Sequence, residues 1–270
     1  MLPENLKFLS FDTGCSTCSS YFDHILTPGV LPSGLTSLIL SHSFNQFLSE
    51  GVLPVNLKNL CFGAGFNKYI APGILPTGLE CLHFGSNFDQ ILVPGALPAS
   101  LRNLSFGNDF THQLTKGTLP IGLKQLYLDT LLNHVLDQNS FPSTLLSLQF
   151  SYTFNLRLNK NVLPTGLTYL EFGDMFNKPL TEEVLPEKLT RLEFGREFNQ
   201  RLNKDVLPSG LTYLEFGNMF NQPLIKGVLP LSLNYLKFGT KFNQCLISQE
   251  ILPKNLTYLT LYKKNMLNVE

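Results

Sequence analysis

A leucine, once a phenylalanine, stands directly before a proline at Leu2, Leu31, Leu53, Leu75, Leu97, Leu119, Phe141, Leu163, Leu185, Leu207, Leu229 and Leu252. Nine of the eleven steps between these marks are 22 residues, the last is 23 and the first is 29. A fixed period of this size leaves few folds open. Each period is one small structural unit, too short to bury its own apolar face, and it must stack on its neighbours as a solenoid. A chain of 270 residues could otherwise form two globular domains. The repeat instead predicts a single solenoid of about twelve coils over residues 1–270. Seven extra residues fall within 12–21, around Cys15 and Cys18, and a short tail follows at 262–270.

Position 1 of the unit is the leucine after Leu-Pro-x-x, as in Leu35, Leu57 and Leu79. Position 4 is again leucine, and position 6 is leucine or phenylalanine: Leu40, Phe62, Phe84, Phe106. Polar residues at 3 and 5 alternate with them, the two-residue period of a half-buried strand. Position 10 reads Phe22, Phe44, Phe66, Phe88, Phe110, Leu132, Phe154, Phe176, Phe198, Phe220 and Phe242. Nineteen of the 22 phenylalanines sit in columns 6 and 10. Stacked coils would turn each column into a row of rings, which is the pattern of a core rather than of a cofactor site.

Proline at position 20 of every coil, and glycine common at 7, 17 and 22, leave no room for a regular helix on the return path. The expected architecture is therefore a repeat solenoid with a parallel β-sheet on one face. Short extended or single-turn segments form the back, with little or no α-helix. Position 11 is mostly asparagine (Asn45, Asn67, Asn133, Asn155, Asn177, Asn199, Asn221, Asn243), with Asp23, Asp89 and Thr111 as exceptions. Such a row is either a ligand-binding series of amides or an internal ladder onto turn backbone. The ladder is favoured, because amides satisfy turns.

Leu-x-x-Leu-x-Phe-Gly followed by Phe-Asn-x-Pro-Leu, best seen in Phe176–Leu180 and Phe220–Leu224, resembles the FNIP-repeat family of leucine-rich-repeat proteins. The resemblance covers essentially the whole chain. Its members occur in social amoebae and giant double-stranded DNA viruses, some with an added F-box or kinase domain. It implies a binding scaffold, viral or amoebal, and brings no catalytic residues. Leu126–His134 departs from the pattern: glycine and phenylalanine are missing, and Phe141 replaces leucine in the mark that follows.

Net charge is zero and only 15% of residues are charged. That argues against nucleic acid or an anionic membrane as partner, since both need clustered Lys and Arg. No apolar run reaches the length of a membrane span and no signal peptide is evident. The expectation is a cytoplasmic protein, in host cytoplasm if viral, with reduced cysteines and no cofactor. The triplets at Asn103 and Asn255 that match a glycosylation signal touch strands and are read as chance.

Function is sought on the strand face. In the C-terminal half, position 3 reads Tyr169, Arg191, Tyr213, Tyr235 and Tyr258, and position 5 reads Glu171, Glu193, Glu215, Lys237 and Thr260. Tyr and Arg are favoured interface anchors. Three glutamates on adjacent strands should repel one another, and nothing in folding requires them. The predicted function is non-enzymatic recognition of a protein partner, basic or mixed in charge, through Tyr169, Glu171, Arg191, Glu193, Tyr213, Glu215, Tyr235, Lys237 and Tyr258. The blander reading is that these residues merely suit a soluble strand. A sugar stacked on the tyrosines is a further alternative.

A metal- or thiol-dependent site at Cys61, Cys81 and His83 is the rival from another class. Cys61 and His83 share position 5 of neighbouring coils, and Cys81 lies two residues before His83. No fourth ligand accompanies them. Cys15-x-x-Cys18 lacks the second pair that a zinc site wants. The ends of the stack would expose core and sheet edge, so self-association there is also expected, unless the segment Asp12–Tyr21 and the tail with Met266 and Leu267 cap them.

Overall fold

The computed structural model of the protein describes residues 2–11, 21–129, 136–138, 140–244 and 251–262. Twelve short strands follow in order. They are β1 Phe8–Ser10, β2 Ser37–Ile39, β3 Asn59–Cys61, β4 Cys81–His83, β5 Asn103–Phe106, β6 Gln125–Leu128, β7 Ser147–Phe150, β8 Tyr169–Glu171, β9 Arg191–Glu193, β10 Tyr213–Glu215, β11 Tyr235–Lys237 and β12 Tyr258–Thr260. Among the described residues there is no helix. Contacts divide the chain into two compact units: Met1–Leu132 with Asn139–Leu145, and Asn133–Gln138 with Leu146–Glu270. The division falls where the repeat loses its glycine and phenylalanine. The first unit holds β1 to β6 and the second β7 to β12, each set parallel and paired in chain order. Residues one period apart lie opposite each other, as Leu170 does Leu192 and Leu214 does Leu236.

Three turns return the chain, which explains the proline and glycine columns. In Leu-Pro-x-x-Leu the proline carbonyl accepts from the N–H of the second leucine, as at Pro54 and Leu57 (3.0 Å). Proline costs nothing there, because the turn uses its carbonyl and not an N–H. A second turn bonds Ile74 N–H to Ala71 O (3.3 Å) across Pro72-Gly73. Gly73 has φ +88°, the conformation that a type II turn requires at its third residue. Asn161, Glu183 and Asp205 hold the same left-handed conformation without being glycine. Asp205→Gly should therefore stabilise the protein. Relief of left-handed strain outweighs the extra freedom of the unfolded chain by about 0.5–1 kcal/mol. A melting curve displaced upward by a degree or more is the expected reading, and a fall would contradict it.

The third turn bonds Phe66 N–H to Gly63 O (3.3 Å) and brings position 10 under position 6. The phenylalanines then stack in two dimensions. Phe194 lies 3.8 Å from Phe198 in its own coil, 5.6 Å from Phe172 and 5.5 Å from Phe216. Rings at position 10 of the second unit repeat every 5.9–6.0 Å. Burying each such ring contributes roughly 2–3 kcal/mol.

The asparagine row is an internal ladder. Asn177 Oδ1 accepts from Asn199 N–H (3.0 Å) and from Gln200 Nε2 (2.8 Å), and Asn199 Oδ1 accepts from Asn221 N–H (2.9 Å). Asp23 and Asp89 do the same for Asn45 N–H and Thr111 N–H, because a carboxylate oxygen accepts as well as an amide oxygen. Those bonds, Asn45 N–H first and Gln46 second, hold the Asp23 carboxyl below its ordinary range.

Candidate functional site

Strands β8 to β12 place position 3 and position 5 side chains on the outer face of the second unit, with the position 4 leucine of β8 to β11 buried behind them. The position 3 residues form one stack. Tyr235 lies face to face with Tyr213 at 4.1 Å and with Tyr258 at 4.4 Å. The Arg191 guanidinium is 4.1 Å from the centre of the Tyr213 ring and 5.3 Å from that of Tyr169. Arginine thus continues the row where a tyrosine is missing, held by the attraction of a planar cation for a π face.

Spacing explains why these rings touch. Strand backbones stand about 4.8 Å apart. Behind them, the position 6 rings are 5.3–5.8 Å apart and the position 10 rings 5.9–6.0 Å. In front of them, the tyrosines close to 4.1–4.4 Å. Coils of the second unit therefore splay away from the strand face, and the tyrosines are drawn together on the concave side.

The glutamates are not left to repel one another, contrary to the reading of the row as three unopposed charges. Glu171 Oε2 accepts from the Tyr169 hydroxyl (2.5 Å) and from Gln149 Nε2 (2.7 Å). Glu193 is paired with Arg191 Nε at 2.6 Å. Glu215 accepts from the Tyr213 hydroxyl (2.9 Å) and from Lys237. Burial, then the bond to Glu171, pushes the Tyr169 phenol well above its usual range. Burial, then bonds to Tyr235 and Glu215, does the same for Tyr213. The bond to Glu215 raises the Lys237 ammonium. The face is thus a set of ring edges with fixed hydroxyls and matched charges. Glu171 alone among its three carboxylates is answered only by neutral donors. The flanking threonines belong to the scaffold: Thr190 and Thr212 hydroxyls donate to the Thr168 and Thr190 carbonyls (3.1 and 3.0 Å).

Cys61 and His83 do lie in register on β3 and β4. Cys81 instead faces Asn103, whose Nδ2 donates to its sulfur at 3.2 Å. Burial lowers the affinity of His83 for a proton. Among the described residues no group of three or more His, Cys, Asp or Glu is arranged to hold a metal. Cys15, Cys18, most of the segment Asp12–Tyr21 and the tail with Met266 and Leu267 lie outside the described residues. No helix among the described residues is long and apolar enough to cross a membrane.

A single parallel strand per coil, a leucine ladder behind it and turns in place of helices define a leucine-rich-repeat protein. The family model described as FNIP Repeat matches residues 22–65, 66–109, 88–130, 110–153, 132–175, 176–219 and 220–264. The chain belongs to the FNIP-repeat family. No curated protein sequence matches it. Its structure is similar to that of CroV588, described as a novel circular leucine-rich-repeat protein, with TM-score 0.88 and 42% identity. That likeness covers 96% of this chain and 37% of the other. YopM from Yersinia enterocolitica WA-314 shares the fold at TM-score 0.51 and 23% identity, over 96% of this chain and 60% of its own. The chain spans less than two thirds of either structure.

Proposed function

We propose that the chain is a non-enzymatic recognition scaffold and that the concave strand face of its second unit binds a protein partner in the cytoplasm. One observation carries this reading: the continuous stack Tyr169–Arg191–Tyr213–Tyr235–Tyr258, with its carboxylates and hydroxyls already bonded to one another. Fixed side chains lose little freedom on binding, so contact with them yields more net affinity than contact with mobile ones. Tyrosine and arginine in a packed cluster are the side chains that dominate interface energies.

The stack also narrows the partner. Ring faces are used on one another, which leaves edges to the ligand and disfavours a sugar lying on an open face. A protein segment that brings apolar groups to the ring edges and a cation to Glu171 fits best, which is mixed chemistry rather than strongly basic.

Immobilised protein should capture a partner from native extract. The double variant Tyr213→Ala with Glu193→Lys should lose it, because it opens the stack and reverses a charge. Both side chains are half-buried on the outer face, in front of the leucine core, so folding should persist, as melting would show. Undiminished capture by the folded variant would move the site off this face.

A further inference from the structure

The back of the first unit carries an apolar row that its fold does not use. Position 14 already supplies the aliphatic contact to the core, as Leu26, Leu48, Ile70 and Leu92, all buried. The neighbouring position 13 reads Ile25, Phe47, Tyr69 and Ile91 in the same four coils. These stand outward, 72%, 67%, 45% and 59% exposed. The apolar run breaks at Gln113 in the next coil, and in the second unit the column reads Val135, Arg157, Pro179, Arg201, Pro223 and Cys245, with no second run of large apolar residues. The row is thus a property of these coils and not a requirement of the repeat. Its exposed apolar area is on the order of 500 Å², toward the top of what a monomer usually shows in one patch.

Three observations point to the occupant. First, the order is palindromic: a β-branched residue, two aromatics, a β-branched residue. A two-fold axis lying across the row, between Phe47 and Tyr69, sets Ile25 of one copy on Ile91 of the other and Phe47 on Tyr69. This is the self-complementary pattern of an isologous interface. Second, the period matches without adjustment. The rungs beneath the row are 6.3, 6.2 and 6.1 Å apart at Phe22–Phe44, Phe44–Phe66 and Phe66–Phe88, and a second copy has the same steps.

Third, the flanks are compatible. At position 12 this register puts Lys68 opposite Gln46 and His24 opposite Gln90. At position 16 it puts Glu50 opposite Pro72 and Pro28 opposite Pro94. The like pair it brings across at position 11, Asp23 and Asp89, is turned along the ladder onto Asn45 N–H and Thr111 N–H. Lys68 covers the Phe47 ring from the adjacent coil, 5.0 Å from its centre, and so keeps that ring upright.

We propose that the protein forms a two-fold antiparallel dimer, back to back, through Ile25, Phe47, Tyr69 and Ile91. The dimer carries two copies of the second unit, and with them two copies of the proposed partner-binding face. Its buried area of roughly 1,000 Å² lies at the low end for a specific interface, and the dissociation constant should be micromolar.

Sedimentation equilibrium of the whole chain over roughly 1–200 µM tests this. A mass rising from 30.3 kDa toward twice that value is expected. Phe47→Asp should raise the midpoint at least about tenfold and leave melting unchanged, since Phe47 is exposed. Mild oxidation should join Ile25→Cys to Ile91→Cys when the two variants are mixed. Ile91→Cys alone should cross-link no more than the unsubstituted chain. A monomer throughout the range, a dimer indifferent to Phe47→Asp, or preferential Ile91-to-Ile91 cross-linking would each overturn the proposal.

Discussion

Replacing Gly195 with alanine should destabilise the second unit by about 4 kcal/mol or more, placing it in the small class of severe single substitutions. The melting midpoint should fall by roughly 10 °C or more. The cause is the approach of successive coils just after the strand. A Cβ on Gly195 would lie within 3.0 Å of the Gly173 carbonyl and of the Asp174 Cα, and both are backbone. No rotamer relieves such a clash; the coils must move apart, and the ring stacks on either side would open with them. Gly217 over Gly195 and Gly239 over Gly217 repeat the same contact, so position 7 is a column of backbone against backbone. Gly210→Ala is the control. An added Cβ there meets the Glu187 carbonyl at 3.6 Å, an ordinary contact, and stability should change by no more than about 0.5 kcal/mol. Equal melting curves for the two variants would refute the close-contact explanation.

Phe198→Ala should cost about 3–5 kcal/mol. The ring is fully buried, stacked on Phe194 at 3.8 Å and standing 6.0 Å from both Phe176 and Phe220. Truncation removes its own burial and leaves a gap between rungs that the neighbours cannot close, because the strand register holds their coils apart. Phe198→Leu fills part of the gap and should lose less than half as much. In a stack where each coil rests only on its neighbours, the damage should be local. Hydrogen exchange should quicken in the coils of Phe176, Phe198 and Phe220 before it does at β7. A loss under about 1 kcal/mol, measured by chemical denaturation, would mean that the columns are not the core.

The candidate site was only half legible beforehand. Tyr169, Arg191, Tyr213, Tyr235 and Tyr258 could be placed in one column by counting, and the structure brings them into one stack. The state of the carboxylates beside them does not follow from the column. Glu171, Glu193 and Glu215 look alike as a column of like charges, yet each meets a different donor: a tyrosine with a glutamine, an arginine, a tyrosine with a lysine. Those donors sit two residues away on the same strand or on the next coil, and only side-chain direction decides which of them reaches. Cys61, Cys81 and His83 show the opposite outcome. Counting placed them together, but Cys81 faces Asn103, and among the described residues no group of three or more His, Cys, Asp or Glu is arranged to hold a metal.

Sequence alone determined the period, the strand at positions 3 to 5, the aromatic columns and the absence of room for a helix. These follow from the spacing of leucine, phenylalanine and proline, and any arrangement of the chain must bury those leucines and phenylalanines on one side. The tertiary structure alone decided why position 7 is so often glycine, since the clash is with a residue 22 positions earlier and does not exist until coils stack. It decided that Asn161, Glu183 and Asp205 carry the left-handed turn that glycine carries elsewhere. It also decided which way position 13 points, and so set Ile25, Phe47, Tyr69 and Ile91 on the surface. The common reason is that a side chain's neighbours in a solenoid lie one full period away. Letters one period apart fix who can meet; the backbone's turns fix who does.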